Sequence, residues 1–232
     1  MVSKNLVGIV MAAVINLVPA NYAKNEIIVT PQVGIVYEYN QREGELFLKE
    51  LAAKGSKEDG WYYIPEKEIW IDHGTQIMSD CYFPDRTVIL NKGIEKVIHY
   101  HIHPARNSLE KKIRGSFPPS FEDFDYLAEE IAYFKDKGIE IPEARVVDCG
   151  GYWSIDLKNS NLKQLESVYT KALIGFKWKY ENLLFTHTHE FKRMFEINND
   201  KEVLKAIENY FINKFEEDVA LLGMKIEYHS ID

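Results

Sequence analysis

Two short stretches hold the residue types that could do chemistry: His101-Ile102-His103-Pro104 and, further along, Pro119-Ser120-Phe121-Glu122-Asp123. Imidazole nitrogens and carboxylates are zinc donors. Two histidines and one aspartate fill three corners of a tetrahedron and leave the fourth for water. That is the arrangement of a catalytic rather than a structural site. A nearby serine adds a hydroxyl able to steady an oxyanion.

The elements that must position these groups follow from pattern. Residues i and i+2 of a strand share a face. The run Lys96-Val97-Ile98-His99-Tyr100-His101-Ile102-His103 has β-branched and aromatic residues at strand spacing. It predicts a strand with His99, His101 and His103 on one face and Ile98, Tyr100 and Ile102 on the other. Pro104 ends it, because proline cannot donate to the ladder. Ser120-x-x-Asp123 has the form of a capping box. Phe121, Phe124, Leu127, Ala128 and Ile131 follow at helical spacing, so a helix is predicted to start at Ser120. Capping alone accounts for the serine-to-aspartate spacing, and an acid in a first helical turn can both cap and ligate.

His-x-His-Pro followed by a proline-preceded Ser-x-x-Asp resembles the JAMM (MPN-plus) zinc metalloprotease family. The resemblance implies His101, His103 and Asp123 as ligands of Zn2+, and Ser120 as the residue that stabilises the tetrahedral intermediate. It implies an upstream glutamate as general base: Glu58 first, with Asp59, Glu43, Glu45, Glu66 and Glu68 as alternatives. It further implies hydrolysis of a peptide or isopeptide bond in a protein or peptide substrate, ubiquitin-like proteins being common ones. A catalytically inactive JAMM-like binding or scaffold protein is the alternative. His99 is a candidate partner for a ligating histidine, as are Asp72, His73, Asp80 and Asp148.

The implied fold is α/β (α+β): a mixed β-sheet flanked by helices, with a C-terminal helical extension. Along the chain, Glu45–Ala53 reads as a short helix. Trp61–Ile64, Glu68–Asp72, Gln76–Tyr82 and Thr87–Leu90 read as strands, and Ala144–Cys149 and Tyr152–Leu157 as a hairpin-like pair around Gly150-Gly151. Two features depart from the family. Fifteen residues, Ala105 to Pro119, separate the histidines from the serine where the family spacing is short, and they carry Arg106, Lys111, Lys112 and Arg114. The upstream glutamate also lacks its usual Glu-x-x-Gly context. A cupin-like barrel using His-x-His does not suit the long helix that follows, and an amidohydrolase barrel needs a longer chain.

The 232 residues and 46% apolar content suffice for a substantial core. A formal net charge of −8 disfavours nucleic-acid binding. Lys4, the apolar run Leu6 to Val18 and the small residues through Ala23 read as a signal peptide over 1–23, too short for a membrane span, so export to the periplasm or beyond is expected. The cytoplasm is the alternative. A metal-binding domain is expected over 24–158 and a helical extension over 159–232. Cys81 and Cys149 could pair in an oxidising compartment or remain buried thiols.

In that extension, Leu162–Leu184 and Val203–Leu222 read as helices. Asp200 is the expected cap of the second helix, Gly223 its C-cap, and Met224–His229 a following strand. Trp178, Tyr180, Phe185, Phe191, Phe195, Tyr210, Phe211 and Phe215 are expected in the core. His187-Thr188-His189 is a second His-x-His, but on a helix i and i+2 do not share a face.

Overall fold

The computed structural model describes residues 36–54, 58–72, 74–78, 81–84, 86–89, 93–105, 118–157 and 171–231. The signal-like segment, the four cations of the inserted stretch, His73, Asp80 and the side chain of Cys81 lie outside the described residues, and with Cys81 the cysteine pairing.

Strand β1 (Val36–Glu38) leads into helix α1 (Gln41–Lys54). That helix begins earlier than hydrophobic spacing predicts, because Asn40 and Glu43 cap it reciprocally: Glu43 N–H donates to Asn40 Oδ1 (3.0 Å) and Asn40 N–H to Glu43 Oε2 (3.2 Å). Strands β2 (Asp59–Ile64) and β3 (Ile69–Asp72) form a hairpin. Strand β4 (Gly74–Met78) pairs with β5 (Cys81–Pro84) in a separate two-stranded sheet. The stretch Gln76–Tyr82, expected as one strand, is thus shared between two strands among the described residues.

Thr87–Leu90 is also not a strand. Arg86–Ile89 is a turn of 3-10 helix, with Ile89 fully buried and Arg86 held by Glu130 at 2.8 Å. These tertiary contacts override the β-branched propensity of the run.

Strand β6 (Ile98–Ile102), helix α2 (Phe121–Lys135) and strands β7 (Glu143–Val147) and β8 (Gly151–Asp156) follow. Helices α3 (Lys171–Glu196) and α4 (Lys201–Ala220) then pair, and β9 (Ile226–Ser230) returns to the sheet beside β8. Asp200 caps α4 through the amides of Glu202 and Val203, and Gly223 sits in the left-handed region just beyond the helix end.

The result is a mixed seven-stranded sheet, ordered β1-β3-β2-β6-β7-β8-β9, flanked by helices and carrying a C-terminal helical pair. Among the described strands, β6 and β7 are the pair that runs parallel, which requires a crossover, and the stretch containing α2 makes it. One sheet face buries Phe47, Leu48, Trp61, Trp70, Tyr100 and Ile102 with α1. The other buries Tyr62, Phe124, Phe134, Val146, Trp153, Tyr180 and Phe215 with α2, α3 and α4. At Gly151 a Cβ would stand 2.0 Å from the His229 carbonyl, so only glycine lets β8 meet β9 there.

Tyr180, Phe191, Phe195, Phe211 and Phe215 are buried as expected. Trp178, Phe185 and Tyr210 are not: they are 67%, 71% and 59% exposed, because helical rotation carries them to the face of α3 or α4 opposite the core. Among the described residues no helix is long and apolar enough to cross a membrane.

Candidate metal centre

The site forms where β2, β6 and the start of α2 converge. Along β6 the alternation holds: Ile98, Tyr100 and Ile102 point into the α1 core, while His99 and His101 lie on the α2 side. His103 lies just past the strand, still anchored by its N–H to the Val147 carbonyl (2.8 Å). The next carbonyl pairing beyond Pro104 is with α1, since Ala105 N–H donates to Ala52 O (3.0 Å). Antiparallel β2 pairs Gly60 with His101 and Asp59 with Ile102. Glu58 directly precedes β2, and its carboxylate lies with both histidines.

Ser120 is the N-cap of α2 and forms the full capping box with Asp123. Its amide and hydroxyl both donate to Asp123 Oδ2, at 2.6 and 2.9 Å. The other carboxylate oxygen, Oδ1, lies 2.6 Å from His101 Nδ1, and Oδ2 lies 3.3 Å from His103 Nε2. On the far side of the ring, His101 Nε2 faces Glu58 Oε2 at 3.6 Å. The two imidazoles meet edge to face, 4.8 Å between centroids. Two carboxylates from different elements thus flank two histidines from one strand end.

Glu58, His101 and His103 each offer one donor atom, and these lie within 4.8 Å of one another. Donors of a tetrahedral zinc stand about 3.3 Å apart, so small side-chain rotations close the set. His101 is buried, and Glu58 and His103 are half-buried. This Glu-His-His cluster is a potential site for a divalent metal. It includes Glu58 among the donors, where the family resemblance implies proton transfer for that residue, and Asp123 borders the same two rings.

The charges respond to this crowding. Burial disfavours the imidazolium of His101, but the Asp123 carboxylate, by charge and hydrogen bond, and then Glu58 outweigh it and lift the pKa to about 9. Burial likewise works against the Asp123 carboxylate, yet His103 and His101 hold it well below the usual range. His99, between the rings of Tyr62 (5.9 Å) and Tyr126 (5.6 Å), is pushed down to about 3 by burial and by His101, and so stays neutral. Behind it Glu130, fully buried, accepts from Tyr62 Oη (2.6 Å), Tyr126 Oη (2.8 Å) and Arg86 Nε (2.8 Å). This satisfied network fixes the wall of the site.

The remaining acids lie elsewhere. Glu43 caps α1. Glu45 is on the opposite sheet face, bonded to Arg145 and Tyr100. Glu66 and Glu68 are exposed in the β2–β3 turn. Asp59 accepts from the Gly60 amide (2.9 Å). Asp72 pairs in register with Trp61 on β2.

Tyr180, expected in the core, also supports the site. Its hydroxyl donates to the Pro119 carbonyl at 2.6 Å and ties α3 to the segment carrying Ser120. Its sequence signal is only helical spacing. The second His-x-His splits as the helix dictates: His187 is buried against Asp218 (2.9 Å), and His189 stacks on Phe185.

No family model, curated protein or solved structure matches the chain.

Proposed function

We propose that the chain is a zinc-dependent metallopeptidase or isopeptidase of the JAMM type, with His101, His103 and Asp123 as ligands and Glu58 as general base. The supporting observation is the convergence of Glu58, from the start of β2, and Asp123, from the first turn of α2, on the two histidines at the end of β6. A zinc ion held there supplies a Lewis acid that polarises water and a substrate carbonyl.

The chain's own groups do the rest. Glu58 takes a proton from the attacking water and returns it to the leaving amine. Ser120 turns its hydroxyl from Asp123 toward the developing oxyanion, where the amides of the first turn of α2 add their dipoles. The rings of Tyr62 and Tyr126 pack against His99 beside the centre. The substrate is a protein or peptide, ubiquitin-like conjugates being the first to try.

Elemental analysis of the wild type, Asp123→Asn and Glu58→Gln tests the assignment, together with hydrolysis of peptide and ubiquitin-like conjugates. About one zinc per wild-type chain is expected, retained in Glu58→Gln without turnover and lost in Asp123→Asn. Zinc lost from Glu58→Gln would make that glutamate a ligand and not the base. A wild type that takes up no zinc would end the enzyme reading.

A further inference from the structure

The outward face of α3 takes no part in the centre and carries apolar groups that the body of the protein does not cover. Phe176, Tyr180, His187 and Phe191 turn inward and are buried. On the opposite side Ile174, Trp178 and Phe185 are 66%, 67% and 71% exposed, and His189 stacks on Phe185, 6.0 Å between centroids and 9° from parallel. At about 100° per residue these four fall within an arc of about 60° and run about 22 Å along the helix. A contiguous exposed stripe of this kind marks a surface for another molecule.

Its pattern says which. The four residues follow one another at steps of four, seven and four. That spacing is the same read from either end, and its midpoint lies between Glu181 and Asn182. A second α3 laid antiparallel about a two-fold axis at that midpoint sets Trp178 against Phe185 of the second copy and Ile174 against its His189, at both ends at once. Such self-complementarity is what an isologous interface needs.

The rim fits the same arrangement. Glu181 is turned back to Lys177 (3.5 Å), and Asn182 Nδ2 donates to the Trp178 carbonyl (2.8 Å). The polar side chains at the midpoint are thus engaged on their own helix and leave the space between them to the aromatic rings. Lys177, Glu181, Lys192 and Arg193 mix signs beside the stripe, so two copies meet without a wall of like charge. The same mixture, on a chain of net charge −8, does not suit an anionic lipid surface. Each aromatic exposes about two-thirds of a side chain worth ~150–250 Å². Doubled over the two-fold, with Ile174, His189 and the rim, the stripe reaches the lower edge of specific interfaces, about 1,000 Å².

We propose that this stripe is a homodimer interface, in which two copies of the chain pair α3 antiparallel through Ile174, Trp178, Phe185 and His189. Trp178 and Phe185 anchor it, aromatic against aromatic. Neither anchor belongs to the metal centre.

Sedimentation velocity on the full chain, with Trp178→Lys, Phe185→Glu and the two combined, tests it. The wild type should dimerise with a dissociation constant in the micromolar range. Each single substitution should weaken association at least about 10-fold. Far-ultraviolet circular dichroism should stay the same, since both sites are exposed. The combined variant sets opposite charges across the two-fold, so at low salt it should associate more tightly than either single one, an advantage lost in about 1 M salt. Trp61, Trp70 and Trp153 are buried, so Trp178 supplies the iodide-accessible fluorescence, and that accessibility should fall as the wild type is concentrated through the transition.

A wild type that stays monomeric at about 100 µM would overturn the inference. Trp178 open to iodide would then leave the stripe to a different protein, and Trp178 shielded at every dilution would assign it to residues 1–35 of the same chain. A dimer indifferent to both single substitutions would overturn it equally, as would a combined variant no tighter than the single ones.

Discussion

Metal uptake at neutral pH should expel a proton from His101, and the structure sets how much that costs. Asp123 and Glu58 hold the ring's pKa at about 9 when no cation is present. Only neutral imidazole ligates, and at pH 7 about one molecule in a hundred has it, a penalty of about 2.7 kcal/mol. Apparent zinc affinity should therefore rise about tenfold per pH unit from 7 toward 9 and level off above. Competition against a chromophoric chelator across that range measures the slope. Titration calorimetry at pH 7 in two buffers of different ionisation heat counts the protons, with about one expected from this ring. In metal-free Asp123→Asn, NMR should show the His101 pKa falling, because burial then meets less opposition. An affinity that stays flat between pH 7 and 9 would mean that His101 is neutral in the metal-free protein and that its contact with Asp123 is not ionic, which would refute the reasoning.

The same shift governs the stability of the metal-free protein. Because the folded pKa lies above the unfolded value of 6.5, the contribution is fully present below about pH 6.5 and is lost as pH rises through about 9, a change of about 3 kcal/mol. Urea unfolding at both ends of that window checks it, and equal stabilities would count against it. Arg86→Met leaves the fully buried Glu130 without its cation and should cost about 3 kcal/mol by chemical denaturation, with Glu130→Gln in the same background recovering part of the loss. Gly44→Ala would drive a Cβ to 2.0 Å from the Trp70 indole, so it should lose about 1–3 kcal/mol and alter the near-ultraviolet circular dichroism; a neutral result would show that α1 can shift freely on β3. Tyr180→Phe removes the bond to the Pro119 carbonyl and should cost about 1 kcal/mol, measured in the same way.

Local relations were legible and distant ones were not. The capping box of Ser120 and Asp123 spans three residues, and strand alternation places His99, His101 and His103, so both halves of the site could be read from neighbouring letters. Asp200 as a cap and the strand-ending Pro104 are of the same kind. Thr87–Leu90 was expected as a strand, and the 3-10 turn found at Arg86–Ile89 is held by Glu130, more than forty positions away. Trp178 and Phe185 look like core by composition and become surface through the phase of a helix whose packing partners lie on other elements.

Glu58 marks the boundary most clearly. By its letters it is one acid among six; what separates it from Glu43, Glu45, Glu66, Glu68 and Asp59 is the antiparallel register of β2 on β6. Tyr180 likewise reaches Pro119 only through the docking of α3. By itself the sequence determined which donors were available and the local geometry of each pair of them. Only the tertiary structure decided which acids meet those histidines, because strand registers and helix docking are set by burying two faces of one sheet at once, a condition that no single segment of the chain contains.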